Sequence, residues 1–258
     1  MKKLFLSLVV VSMTIMFNIT AVNAQESPFH VGVDIWSRYV WRGTDFGSSP
    51  SVQPCIEYST HGFTIGSWGA YTTSLNAPAQ EADLYLAYTF ANDMFKVIVT
   101  DYFFPTDGGL NQYFNYKKGE TGHYFEGGIA FNGTEKLPLK FFAGTMFYGN
   151  DLDYAGDNRF STYLELSYNP TIKGTDFSVF LGANLTAASD DDLNYIDPVT
   201  LQPAPVSGFY GDKAGICRVG ISAAKKIQIT DSFELPLAVM LQSNPMKGNL
   251  FLTAGFTF

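Results

Sequence analysis

Apolar and polar side chains alternate through most of this chain, and that alternation limits what it can fold into. In the last segment, Leu250, Leu252, Phe256 and Phe258 share one face of an extended strand, because successive side chains point to opposite sides. The same period of two predicts an all-β fold with twelve strands. The predicted strands are residues 29–42, 51–59, 62–71, 81–90, 94–104, 123–132, 139–148, 159–168, 176–186, 214–226, 233–242 and 249–258.

The connections between these predicted strands alternate in length. Odd-numbered connections such as 43–50 and 105–122 tend to be long, whereas even-numbered ones such as 60–61 and 91–93 are short. Outer-membrane barrels have short periplasmic turns and longer external loops in this order, and a soluble β-sandwich has no reason to follow it. We therefore predict a closed antiparallel transmembrane β-barrel, since closure leaves no strand edge unpaired in lipid. Aromatic residues gather near the strand ends, as an interfacial girdle requires.

The start of the chain indicates export. Lys2 and Lys3 precede an apolar run over residues 4–19, and small residues lead to Ala24, which is the order of a secretory signal peptide. A membrane-spanning anchor is the alternative, but polar residues interrupt the run. We predict a signal peptide over residues 1–24 and one barrel domain over residues 25–258, located in the outer membrane of a Gram-negative bacterium.

Composition and charge narrow the partners. Charged residues are 16% of the chain and aromatic residues another 16%, which fits lipid contact spread over alternate positions. The net charge of −8 argues against nucleic acid, because binding there relies on Lys and Arg. The expected partners are outer-membrane lipid, small hydrophilic solutes and the outer-membrane assembly machinery, which reads closing strands that end on an aromatic residue such as Phe258. No cofactor is predicted.

The two cysteines, Cys55 and Cys217, permit a disulfide in an exported chain. The alternation places Cys55 on the polar face and Cys217 on the apolar face of strands that are not neighbours. We therefore predict two unpaired thiols.

A motif at the end of the first predicted strand suggests a family. Residues 37–43 read Ser-Arg-Tyr-Val-Trp-Arg-Gly, and residues 66–69 read Gly-Ser-Trp-Gly. This order resembles the TorF-type porin family, which opens after its signal peptide with a Ser-x-Tyr-x-x-Arg-Gly strand. The detailed match spans residues 31–71, and the resemblance implies an outer-membrane barrel of channel function without supplying a substrate. The positions that fill the pattern are Ser37, Tyr39, Arg42 and Gly43.

The polar faces of the strands are predicted to line a lumen. Seven acidic and four basic side chains would then point inward, an imbalance that favours cations or neutral solutes, because rings of charge set pore selectivity. Alternatively, these charges pair across strands and fill the interior. Arg38 and Arg42, on inward positions of one strand, are the candidates for selectivity or for bracing the lumen. The predicted lumen-lining residues are Asp34, Arg38, Arg42, Glu57, Glu81, Asp83, Glu126, Arg159, Glu165, Arg218 and Glu234.

The predicted function is passive passage of small hydrophilic solutes, as in a porin. A non-conducting structural, ligand-binding or adhesive barrel is the alternative. An enzyme is not predicted, because the three histidines are His30, His61 and His123, and no Ser lies at the inward positions near His123.

Two acidic loops are candidate metal sites. Residues 151–158 contain an Asp-x-Asp-x-x-Gly stretch similar to a calcium loop, but Ala155 replaces one ligand and the closing Glu is absent. Three consecutive aspartates, residues 190–192, stand in the longest loop. We predict that both are solvated acidic turns and that neither binds a metal.

Overall fold

The computed structural model describes residues 27–74, 79–105, 112–203 and 208–258. Twelve of the strands in these ranges close into an antiparallel barrel, which confirms the predicted fold class. The signal peptide predicted over residues 1–24 lies outside the described residues. In chain order the elements are β1 (Phe29–Trp36), β2 (Tyr39–Trp41), β3 (Thr44–Phe46), β4 (Ser51–Thr60), β5 (Phe63–Thr72), β6 (Gln80–Phe90), β7 (Phe95–Phe103), β8 (His123–Phe131), β9 (Leu139–Gly149), β10 (Thr162–Tyr168), β11 (Thr171–Ile172), β12 (Thr175–Asn184), α1 (Asp190–Asn194), β13 (Gly215–Thr230), β14 (Phe233–Asn244) and β15 (Asn249–Thr257).

The barrel closes because its first and last strands pair with each other. β1 pairs with β4 on one side and β15 on the other, and β10 pairs with both β9 and β12. The seam between β1 and β15 runs from Val33 and Phe258, which exchange backbone hydrogen bonds of 3.2 and 3.0 Å, to the pair Trp36 and Gly255. The terminal Phe258 therefore takes part in closing the ring.

The two ends of the barrel carry different connections. At the end where β1 begins and β15 ends, called the terminus end below, the turns are short. At the opposite end, called the loop end, most connections are longer, as predicted, although the last one, residues 245–248, is short. The terminus-end turns are residues 61–62, 91–94, 132–138, 169–174 and 231–232, and the loop-end connections are residues 37–50, 73–79, 104–122, 150–161, 185–214 and 245–248.

The outside of the barrel is apolar. Outward side chains such as Val31 and Leu252 are each 72% exposed. Aromatic rings form a band around the terminus end of neighbouring strands, in which the centroids of Phe63 and Tyr88 lie 4.5 Å apart. None of the described residues forms a helix long and apolar enough to cross a bilayer. The ring contacts continue from Tyr88 through Phe90 and Phe95 to Phe131.

The first predicted strand, residues 29–42, is wrong beyond Trp36. β1 ends there, and β2 and β3 pair only with each other, as a hairpin inside the barrel. Tyr39 and Trp41, which the alternation places on the lipid face, are 5% and 4% exposed in the barrel interior. Alternation continues through the hairpin, so the period alone does not separate a wall strand from an inserted one. Residues 39–46 are called the plug hairpin below.

Inward glycines make room for the hairpin by accommodating aromatic side chains of neighbouring strands. A Cβ added at any of three such glycines would lie closer than 3.0 Å to the ring opposite, so each ring lies against the wall. The centre of the barrel is thereby left open for the plug hairpin. The pairs in register are Gly66 with Tyr85, Gly220 with Phe180, and Gly255 with Trp36.

The two cysteines are free thiols, as predicted, but Cys217 does not face lipid. Two successive residues of β12, Gly182 and Ala183, pair with Arg218 and Ile216 of β13. Cys217 lies between those two partners and has none of its own, so it is the extra residue of a bulge. Its side chain is fully buried in the barrel interior. A bulge breaks the period of two, and for that reason the predicted face was wrong.

Candidate functional site

Arg42 and Gly43 form the turn of the plug hairpin. Both have positive φ, +47° and +80°, as a two-residue hairpin turn with the right twist requires. A Cβ at Gly43 would collide with the carbonyl of Cys217, so glycine is needed for space as well as for conformation. The left-handed conformation costs Arg42 about 1–2 kcal/mol, which its side-chain contacts must offset.

Arg42 forms a buried ion pair with Glu126 on β8. Its Nη1 donates to Oε1 at 2.6 Å and its Nη2 to Oε2 at 2.9 Å, so the pair is bidentate. The two side chains are 1% and 2% exposed. The hydroxyls of Tyr102 and Tyr210 donate to the same carboxylate at 2.9 and 3.1 Å. Removing either charged partner would leave the other unpaired in a buried place.

Aromatic rings surround the guanidinium of Arg42. Its Cζ lies 4.5 Å from the ring centroids of both Trp41 and Tyr163, 5.0 Å from that of Phe142 and 5.4 Å from that of Tyr210. Attraction between a cation and aromatic faces adds to the ion pair. Because Tyr210 belongs to the connection 185–214, that loop also enters the lumen and packs beside the hairpin.

Other side chains attach the plug hairpin to the wall. The hydroxyl of Tyr39 donates to Glu81 on β6 at 2.6 Å, and the amide of Asn244 donates to the Gly43 carbonyl at 3.1 Å. Lys247 reaches Thr44 at 3.4 Å. Among the described residues, no hydrogen bond between two backbone groups joins residues 39–46 to the barrel strands. The hairpin is therefore a separate element held by side chains.

A cavity of about 30 Å³ lies between the plug hairpin and the wall. This volume holds about two water molecules. Trp36, Trp41 and Trp68, which are all the tryptophans of the chain, line it. No carboxylate is part of its lining.

The structure buries most of the predicted lumen residues and pairs several of them. Arg218 donates to Glu165 at 2.7 Å, and Tyr85 donates to Glu57 at 2.6 Å. Arg38 belongs to the connection 37–50, outside the wall strands, and is half-buried. Glu234 is exposed near the terminus end of β14. The buried charged members are Asp34, Arg42, Glu81, Asp83, Glu126 and Arg218.

Arg159 was predicted to line the lumen, and this is wrong. β10 begins at Thr162, so Arg159 lies in the preceding loop. There it donates to both carboxylate oxygens of Asp192 in α1, at 2.5 and 2.6 Å. Ser189 caps this helix in a capping box with Asp192. The Arg159–Asp192 pair is called the loop clamp below, because it joins the connections 150–161 and 185–214.

The two acidic loops are therefore not simply solvated. Asp192 is 1% exposed. Asp151 accepts hydrogen bonds from the backbone and hydroxyl of Ser161 at 2.8 and 2.7 Å, and burial raises the pKa of this carboxyl despite those bonds. Tyr154 and Tyr195 stack 4.1 Å apart across the loops. In the described part of the chain, no three His, Cys, Asp or Glu side chains lie together as a metal site would require.

His123, at the loop end of the barrel, lies on the outward face of β8. Its Nδ1 lies 2.7 Å from Asp101, and its Nε2 lies 2.6 Å from the carbonyl of Tyr113. Tyr116 stacks on the ring at 4.4 Å. With an acceptor at each ring nitrogen, this histidine anchors the loop around residues 113–116 to the barrel. Neither nitrogen is left to activate a hydroxyl nucleophile.

Comparison with known proteins places the chain in a family. The model of a bacterial protein family of unknown function, Gcw_chp, matches residues 22–199. The chain belongs to this family. The part that matches Gcw_chp contains the plug hairpin, Glu126 and both residues of the loop clamp, whereas β13 to β15 lie beyond it.

Two further comparisons complete this picture of a Gcw_chp protein. A solved structure described as a bacterial polysaccharide outer membrane secretin aligns with a TM-score of 0.44 and 10% sequence identity, covering 91% of this chain and 99% of that chain. No curated protein matches the sequence. The resemblance to TorF-type porins stays a prediction.

Proposed function

We propose that this chain is an outer-membrane channel for small hydrophilic solutes, and that its own plug hairpin narrows and gates the bore. The observation that carries the proposal is the hairpin, which stands inside a closed barrel without strand pairing to the wall. An element held by side chains can move while every strand pairing of the barrel stays intact.

The surface of the barrel supports the location in the outer membrane. Exposed apolar side chains cover the outward face, and aromatic rings form a band at the terminus end. Alternating apolar-out and polar-in strands with an aromatic girdle are typical of outer-membrane barrels. In that orientation the terminus end faces the periplasm and the loop end faces the outside.

The packing of the interior supports a bore that is narrow at rest. Side chains beside the hairpin, such as Met146 and Tyr163, are fully buried, and the cavity under the hairpin has only about 30 Å³. Such a space has room for about two water molecules, so only very small solutes fit it. Larger solutes would pass only after the hairpin has left its position between Glu81 and Glu126.

Conductance across a planar bilayer tests the proposal. Residues 25–258, folded in detergent and inserted into the bilayer, should show small or infrequent steps. The variant Arg42→Ala should show larger and more frequent steps, because it removes the buried anchor of the hairpin. Lys117→Ala, which breaks the exposed ion pair with Glu120 in another loop, is the control and should conduct as the wild type does.

A second candidate function, a non-conducting barrel that binds a partner through its loops, is favoured by one observation. The loop clamp holds two connections together, and apolar side chains on one of them are exposed, Val199 at 88% and Leu201 at 73%. If wild type, Arg42→Ala and a variant lacking residues 39–46 were all silent in the bilayer while still folded, the channel proposal would fail in favour of this one.

A further inference from the structure

Two buried N–H donors beside the cavity lack an acceptor. Trp41 Nε1 and Arg42 Nε have no hydrogen-bond partner among the described residues, and both residues line the cavity. Their side chains are 4% and 1% exposed, so bulk water does not serve them. Leaving a buried donor unsatisfied is costly, which indicates that the cavity receives a group that accepts hydrogen bonds.

Gln53 supplies a third polar group to the same cavity. Its amide nitrogen donates to the hydroxyl of Ser51 at 2.8 Å, and its Oε1 has no partner. The two ends of an amide have nearly the same shape, so the side chain can turn over and accept from Ser51 instead. Its nitrogen then becomes another unsatisfied donor at the cavity.

The charge of the lining has one sign. Arg38, Arg42 and Arg218 line the cavity, and no Asp or Glu does. Arg42 is held by the buried carboxylate of Glu126 and Arg218 by the partly buried one of Glu165. Arg38 makes a single bond to Asp45 at 3.1 Å, and its side chain is 38% exposed. Arg38 therefore keeps guanidinium N–H groups for a ligand at the mouth of the cavity.

We infer that this cavity binds a small monovalent anion, either a halide or a carboxylate of one or two carbons. The unsatisfied donors and the arginine lining call for an anion, and a volume of about 30 Å³ limits its size. The acidic majority of the lumen residues predicted a preference for cations or neutral solutes, but Glu81 and Asp83 do not line this cavity. The inference rests on the proposed function only for placing the cavity on the path of a solute.

Tryptophan fluorescence tests the binding without a membrane. Because all three tryptophans line the cavity, the emission of the folded protein in detergent reports on it. Sodium iodide should quench this emission with a saturable dependence, and caesium chloride, a cationic quencher compared with sodium chloride at equal concentration, should not. Chloride and formate, added separately, should each compete with iodide if they share the site, which distinguishes a halide site from one that also takes carboxylates.

Variants decide whether the site is the one inferred. Arg38→Gln should weaken iodide binding about tenfold, as expected for a lost hydrogen bond to a charged group. Gln53→Glu, which adds a carboxylate of nearly the same shape, should abolish saturation, and Lys117→Gln, which removes an exposed cation in a loop, should leave it unchanged. Each variant is first checked for the heat-dependent mobility of a folded barrel.

The outcomes separate this inference from the channel proposal. Quenching that rises linearly, equal quenching by caesium, or unchanged binding in Arg38→Gln would each overturn the anion site. Saturable, Arg38-dependent binding in a protein that never conducts would keep the site and reject the channel.

Discussion

Arg42 at the tip of the plug hairpin and Glu126 on β8 stand 84 positions apart in the sequence and form a bidentate, buried ion pair inside the barrel. This pair connects the plug hairpin to a wall strand that lies far from it in the sequence. It makes the hairpin part of the folded lumen, although no strand pairing holds it there.

The Ser-x-Tyr-x-x-Arg-Gly stretch is therefore the plug and the approach to it. Ser37 ends β1 by accepting a hydrogen bond from the backbone of β15, and Tyr39 donates to a wall carboxylate. Arg42 forms the central ion pair, and Gly43 provides the turn under the carbonyl of Cys217. Each residue of the pattern thus has a separate physical task in one hairpin.

A double-mutant cycle should show that Arg42 and Glu126 act as a pair. Arg42→Gln or Glu126→Gln alone should lower the free energy of unfolding by about 3–5 kcal/mol, because the remaining charge is buried without a partner. The double variant should be more stable than the sum of the two losses predicts. Unfolding in guanidinium chloride, followed by tryptophan emission, measures this, and strictly additive losses would contradict the pair.

Gly255→Ala should push the ring of Trp36 away from the wall and into the cavity. Overpacking of this kind costs about 1–3 kcal/mol of stability. The near-ultraviolet circular dichroism should change with it. Gly127→Ala is the control, since a Cβ there meets nothing nearer than Phe147 at 3.8 Å and the φ is not positive. Equal effects of both substitutions would argue against the proposed contact.

Asp192→Asn should loosen the loop clamp while the barrel stays intact. The amide keeps the shape but loses the charge that Arg159 binds at 2.5 and 2.6 Å. We expect limited proteolysis of the connections 150–161 and 185–214 to accelerate about tenfold, which corresponds to about 1.4 kcal/mol of easier local opening. Asp191→Asn, on the exposed side of the same helix, should have no such effect, and a lowered melting temperature of the barrel in Asp192→Asn would show that the clamp is not local.

Deleting Phe258 should impair closure of the barrel. Its backbone exchanges two hydrogen bonds with Val33 at the seam between β1 and β15. Phe258→Ala keeps those bonds and removes only the aromatic ring. The measurement is the amount of folded, heat-modifiable barrel in the outer-membrane fraction of a Gram-negative host that expresses the protein. This amount should be lowest for the deletion and higher for Phe258→Ala and the wild type. If Phe258→Ala is equally poor, the ring rather than the seam is what assembly requires.

The wall of this barrel could be predicted from local sequence. A strand that faces lipid on one side and a lumen on the other must alternate, so the period of two located ten of the twelve wall strands to within three residues at either end. The exceptions are β1, which already ends at Trp36, and β13, which runs on to Thr230. The alternation of short and long connections could also be predicted, because short turns and longer loops lie at opposite ends of such a barrel.

The features inside the barrel and in its loops depend on contacts between distant parts of the chain. Tyr39 and Trp41 would show the same alternation in a wall strand and in a hairpin inside the barrel. That the chain leaves the wall after Trp36 is therefore decided by distant partners such as Glu126, which binds Arg42. Arg159 took a loop partner in place of the lumen, and a bulge turned Cys217 inward. Periodicity shows which side chains share a face of one strand. What that face contacts depends on residues far along the chain. For this reason the strands could be predicted from the sequence, whereas the plug hairpin, the loop clamp and the cavity could not.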